Sequence, residues 1–101
     1  MRSYSEKLLS TLCNAYMFRL DLPEHERRSF GGAAEIHQVL LPEMSIQQID
    51  EACRELDMAG FLSCFYADNT VAETYLLDAG LQHRHDTAKN ALLSILKFFK
   101  K

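Results

Sequence analysis

A chain of 101 residues is long enough for one hydrophobic core and too short for two. With 48% hydrophobic and 25% charged residues, its composition is that of a globular domain and excludes a disordered or fibrous chain. The net charge is −3, and no apolar run approaches the ~18 residues of a membrane span.

In chain order, the first expected element is a helix from about Tyr4 to Phe18. Leu8, Leu9, Leu12, Cys13 and Tyr16 recur there at three- and four-residue steps. Ser3, Ser5, Glu6, Lys7, Ser10 and Asn14 interrupt its apolar character, unlike the core of a signal peptide. Residues 19–32 read as a connection, with a one-turn helix at Pro23, a solvated Glu24-His25-Glu26-Arg27-Arg28 cluster and a flexible Gly31-Gly32 pair. A short helix is expected from Ala33 to about Leu40, with Ile36, Val39 and Leu40 inward. Pro42 ends it, because a residue preceding proline is pushed out of helical geometry.

The best-marked element is a third helix, from about Ser45 to Ala59. Ser45-Ile46-Gln47-Gln48 is a capping box, in which the Ser45 hydroxyl and the Gln48 side chain each take one free backbone N–H. Ile46, Ile49, Cys53 and Leu56 form its inward stripe. Gly60 supplies a left-handed cap, with Phe61 folding back on Leu56. Strands Phe61–Tyr66 and Val71–Leu76 flank the turn residues Ala67-Asp68-Asn69-Thr70, which makes a hairpin. A helix from Asp78 to about His85 and another from about Asp86 to Phe99 complete the chain. The last carries Ala88, Ala91, Leu92, Leu93, Ile95, Leu96, Phe98 and Phe99. Such a stripe is wider than one core face requires, which leaves two expectations open for residues 86–101: dimerisation with a second copy, or a sandwich of the first and final helices within one domain.

Helix, turn, helix and then hairpin is the order of a winged helix, so the expected fold is α+β: three helices, a β-hairpin wing and one or two closing helices, with residues 1–101 forming a single winged-helix domain. The order is reinforced by Met58-Ala59-Gly60-Phe61 at a helix end, by the tyrosine–leucine–glycine transition in Tyr75-Leu76-Leu77-Asp78-Ala79-Gly80, and by the lysine-bearing segment Asp86 to Lys101. On these features the chain from Glu6 onward resembles the small YjcQ-type winged-helix proteins of bacterial and prophage genomes. That resemblance implies a regulatory or prophage-linked role and no catalytic residues. The long connection at 19–32 departs from the compact pattern of that family.

Charge patterning pulls the other way. Residues 41–80 hold Arg54 as their one cation against eight carboxylates, whereas residues 81–101 carry a balance of +4. In a helix–turn–helix the start of the third helix faces base edges and nearby cations hold phosphates. As a transcriptional regulator, the chain would use Gln47 and Arg54 at bases or backbone, with Arg27, Arg28, Lys100 and Lys101 on phosphates. DNA is thus allowed by the architecture and disfavoured by local charge. The alternative is a protein–protein interaction module, in which Glu51, Glu55 and Asp57 meet a basic partner and Leu93, Leu96 and Phe98 form an apolar seam.

Other chemistry has little support. Cys13, Cys53 and Cys64 are an odd number without a CxxC pair, pointing to reduced thiols in a cytoplasmic protein. His83 and His85 are two residues apart, a spacing that points them away from each other on a helix, so no metal site is expected. Gly31-Gly32 lacks the spacing of a phosphate loop, and no residue set positions a nucleophile, so neither a cofactor nor an enzyme is expected.

Overall fold

The computed structural model describes the backbone of residues 1–99 and the side chains of residues 1–93. Five helices and one antiparallel hairpin follow in the order α1 (Ser3–Phe18), α2 (Glu24–Arg27), α3 (Ala33–Val39), α4 (Ile46–Met58), β1 (Leu62–Ala67), β2 (Thr70–Leu76) and α5 (Asp78–Phe99). This is a small α+β domain. Its core is built from Leu8, Leu9 and Leu12 of α1, Ile36 of α3, Ile49, Cys53 and Leu56 of α4, and Leu62 and Leu76 of the hairpin.

Helix α4 forms as its capping signals require. The Gln48 N–H donates to Ser45 Oγ at 3.0 Å and the Ser45 N–H donates to Gln48 Oε1 at 3.0 Å. At the other end the Gly60 N–H reaches the Asp57 carbonyl at 3.0 Å and the Phe61 N–H the Leu56 carbonyl at 2.9 Å. Gly60 sits at φ +82°, the left-handed conformation this paired closure needs. The inward stripe is Ile49, Ala52, Cys53 and Leu56. Ile46, expected inside, is 47% exposed, since a residue in the first turn lies beyond the edge of the packed face. Val39 is likewise turned out, at 73% exposure, because α3 ends there and its buried face is spent on Ala33 and Ile36.

The hairpin turns on Asp68 (φ 52°) and Asn69 (φ 62°), both left-handed, as a two-residue turn matched to strand twist requires. Pairing runs Leu62 with Leu76 through Phe65 with Glu73, then shifts so that Tyr66 faces Val71. Ala72 is therefore the extra residue of a bulge.

Residues 19–32 are more ordered than their composition suggests. Pro23 precedes the single-turn helix α2, and residues 28–30 then run beside β2. The Leu76 N–H donates to the Arg28 carbonyl (2.9 Å), the Phe30 N–H to the Thr74 carbonyl (3.2 Å), and Ser29 bridges Tyr75. Only Phe30 is apolar in that segment, too little for a periodic strand signal. The glycine pair is a seat, not a loose joint: a Cβ on Gly32 would lie 2.6 Å from the Val71 carbonyl oxygen.

Of the one or two closing helices expected, the structure has one: α5 runs from Asp78 through Phe99 without a break at Asp86. No glycine or proline interrupts residues 81–99, and Asp86 accepts a hydrogen bond from Gln82 Nε2 (2.9 Å) within the same helix rather than starting a new one. Among the residues of α5 whose side chains are described, Gly80, Leu81, His83 and Arg84 pack on the body and residues 85–93 are exposed. No helix among the described residues is long and apolar enough to cross a membrane.

Two substitutions separate the forces at work. Ser45→Ala removes one cap and should cost about 1 kcal/mol in urea unfolding. Gly32→Ala must push α3 off β2 and should cost about 2 kcal/mol or more, with the larger fall in midpoint.

Candidate functional site

Helix α4 and the hairpin tip enclose a cleft of about 430 Å³ lined by Ile46, Gln47, Asp50, Glu51, Arg54, Asn69 and Thr70. A second, of about 380 Å³, continues along α4 between Arg2, Glu51, Arg54, Glu55 and Met58. These clefts lie on the side of α4 that the core does not use, and they gather most of the residues singled out on that helix.

Gln47 lies exposed in the first turn of α4 and reaches only Glu51, at 3.5 Å. Arg54 is held from three sides. Its Nε pairs with Asp50 Oδ1 at 2.5 Å, its Nη2 donates to the Asn69 carbonyl at 2.8 Å, and its guanidinium stands 4.9 Å from the Tyr66 ring centre. Asp50 completes the strut by accepting the Val71 N–H at 2.8 Å. Burial pushes the Asp50 carboxyl up, but the hydrogen bonds from Arg54 and the Val71 N–H outweigh it and leave the group below its usual range. Arg54 thus fastens the hairpin to the helix.

The carboxylates of α4 are partnered too. Arg2, from the start of the chain, lies across this face: its Nη1 is 3.4 Å from Glu51, its Nε 3.7 Å from Glu55, and its backbone N–H donates to Glu55 at 3.0 Å. Tyr4 donates to Glu51 at 3.1 Å and Tyr66 to Asp57 at 2.6 Å. The segmental charge count did not anticipate Arg2, since folding brings it 49 residues along the sequence to reach Glu51. The face remains acidic, with Asp50, Glu51 and Glu55 outnumbering Arg2 and Arg54 in the two clefts. Solvent-facing apolar side chains adjoin it: Ile46, Met58 (89% exposed) and Tyr66.

Arg27 and Arg28 lie elsewhere, on the connection after α1, and are not the solvated pair expected there. Arg27 donates through Nε and Nη2 to the Tyr16 carbonyl at 3.2 and 3.0 Å and lies 4.0 Å from the Tyr16 ring centre. Arg28 reaches Glu24 at 2.9 Å, Asp78 at 2.8 Å and the Leu76 carbonyl at 3.1 Å. Arg19 donates to the Ser29 and Glu26 carbonyls at 2.7 and 3.1 Å and covers the Phe30 ring. A carbonyl left open by the end of a helix or strand attracts such donors, a signal that sequence separation hides.

On α5, Leu92 and Leu93 are exposed, at 57% and 45%. The side chains of Leu96 and Phe98, and the whole of Lys100 and Lys101, lie outside the described residues. His83 stacks on Phe61 at 4.6 Å and sits 3.2 Å from Glu6, tying α5 to α1, while His85 is exposed.

No protein-family profile, curated protein or solved structure matches the chain.

The strut makes a definite prediction. Asp50→Ala leaves the Val71 N–H and Arg54 without their partner and should cost about 2 kcal/mol in urea unfolding at neutral pH. Because the folded carboxyl is held below its ordinary value, its stabilisation is present above the unfolded carboxylate range and is lost as pH falls through the folded one. The gap between wild type and Asp50→Ala should therefore narrow below about pH 4. A gap that stays constant to pH 2 would contradict the strut.

Proposed function

We propose that this is a winged-helix protein–protein interaction module, with the α4–hairpin face as its docking surface. The winged-helix reading rests on element order: helix, short edge segment, two helices, hairpin and closing helix. Residues 28–30 supply that edge segment beside β2.

A single observation carries the functional reading. Every arginine from Arg2 to Arg54 is directed at an internal acceptor: Arg2 at Glu51 and Glu55, Arg19 at backbone carbonyls, Arg27 at Tyr16, Arg28 at Glu24 and Asp78, and Arg54 at Asp50 and Asn69. Lys7 is paired with Glu43 at 3.2 Å. Phosphate neutralisation supplies most non-specific DNA affinity, and these cations would have to abandon folded-state partners to provide it. Glu51 and Glu55 instead offer carboxylates beside exposed Ile46 and Met58, chemistry that suits a partner segment mixing lysine or arginine with apolar side chains.

The exposed part of α5 supports a homodimer as the working form. Leu92 and Leu93 lie on a helix that leaves the body after Arg84, and a second copy of the same helix would cover them.

The second reading, a nucleic-acid-binding regulator of bacterial or prophage type, draws on Gln47. It is exposed at the start of α4 beside the hairpin tip, and a glutamine so placed can pair with adenine.

A titration with random duplex DNA at ~50 mM salt separates them. The interaction module predicts no binding there, and predicts that a lysine-rich amphipathic peptide binds with an affinity that weakens as salt rises and is lost in Glu51→Lys/Glu55→Lys. Tight duplex binding with a steep log–log salt slope would overturn the module and support the regulator. Light scattering at tens of micromolar should give twice the 11.6 kDa chain mass, and Leu92→Glu should return it to one. A wild-type monomer at that concentration rules out the dimer.

A further inference from the structure

Helix α4 and strand β1 place two cysteines against each other. Cys53 lies on the buried face of α4 and is fully inaccessible; Cys64 lies in β1, half-buried, with one side toward solvent. The Cys64 thiol donates to the Cys53 carbonyl oxygen at 3.6 Å, which sets the Cys64 sulfur against the Cys53 residue. Eleven residues separate them in sequence, and the tight closure at Gly60 is what folds β1 back along α4. Cys13 is at a different place, on α1, with its thiol directed at the Gly80 carbonyl at 3.9 Å.

We propose that Cys53 and Cys64 form a reversible intramolecular disulfide when the protein meets a peroxide. The roles follow from position. Cys64 is the thiol a small oxidant can reach, and Cys53 is shielded from the oxidant while its carbonyl already holds the Cys64 thiol. The neighbouring Cys53 side chain favours the Cys64 thiolate and, against the effect of burial and of Asp57, holds the Cys64 thiol below its ordinary value.

In the first step the Cys64 thiolate attacks one peroxide oxygen. The O–O bond breaks, the sulfur becomes a sulfenic acid, and hydroxide leaves to be protonated to water. In the second, the Cys53 sulfur attacks the Cys64 sulfur, the S–O bond breaks, and the Cys53 proton leaves with the oxygen as a second water. Two thiols and one hydrogen peroxide give one disulfide and two waters. A dithiol reductant reverses the change by exchange. The product is a covalent link between α4 and the hairpin, beside the Asp50–Arg54–Asn69 strut, so oxidation would fix the geometry of the α4–hairpin clefts. The chemistry stands whether that face binds protein or nucleic acid.

Peroxide treatment of the intact chain, followed by denaturation, alkylation and peptide mass mapping, tests this. The expected product has lost two mass units, retains one alkylatable thiol at Cys13, yields a linked Cys53–Cys64 peptide, and recovers all three thiols in dithiothreitol. Cys53→Ala should instead accumulate oxygen on Cys64 with no internal cross-link, and Cys13→Ser should form the cross-link as wild type does. Should Cys53→Ala fail to fold, Cys64→Ala serves in its place, with no cross-link and Cys53 left reduced. Three alkylatable thiols after treatment, a Cys64 carried to sulfinic acid without the cross-link, or a pairing through Cys13 would overturn the proposal.

Discussion

Arg28 touches three elements at once: Glu24 of α2, Asp78 at the start of α5 and the Leu76 carbonyl at the end of β2. Arg27 binds the Tyr16 carbonyl near the end of α1, and Arg19 gathers the carbonyls of the connection itself. Each guanidinium takes up acceptors that the end of a regular element leaves open. Arg54 does the same between α4 and the hairpin tip. In a chain with a single small core, these side chains determine how the connection, hairpin and closing helix sit on it. The same donors are thereby withdrawn from the surface, and the functional reading follows from that withdrawal.

The outcome on the α4 side is a surface that mixes ordered carboxylates with exposed apolar side chains. Carboxylates at Glu51 and Glu55 are held by Arg2 and Tyr4, so they are pre-oriented rather than free to repel one another. Around them Ile46 and Met58 stand in water. Apolar side chains between ordered charges are the makings of a protein interface, where the apolar part supplies affinity and the charge supplies choice of partner. Cys53 of α4 and Cys64 of β1 lie between this helix and the hairpin, so the proposed disulfide would bear on the proposed docking face.

Much of the fold was legible in the sequence because its signals are local. The Ser45 and Gln48 box, the Gly60 closure, the Asp68-Asn69 turn and the Leu8 to Cys13 stripe each act within a few residues, and each appears where expected. Ile46 and Val39 were misplaced for a reason just as local: periodicity marks a face but not where the packed face ends. Whether the closing region was one helix or two stayed open because Asp86 resembles a helix start when its actual partner, Gln82, is four residues earlier. The segment beside β2 was invisible, since its stability comes from the carbonyls and amides of residues 74–76 rather than from its own composition.

The candidate site was legible as a location and not as a charge pattern. Gln47, Glu51, Arg54 and Glu55 do meet along the two clefts, as helical spacing demands. What could not be read was that Arg2 would arrive from the chain start, or that Arg27 and Arg28 would turn inward. Arginine Nε relaxation by NMR tests the central claim most directly. If these side chains are structural, the Nε–H order parameters of Arg27, Arg28 and Arg54 should approach the ~0.85 of rigid backbone. Values below about 0.6 for all three would mean that the guanidinium groups are free after all, and would contradict the account.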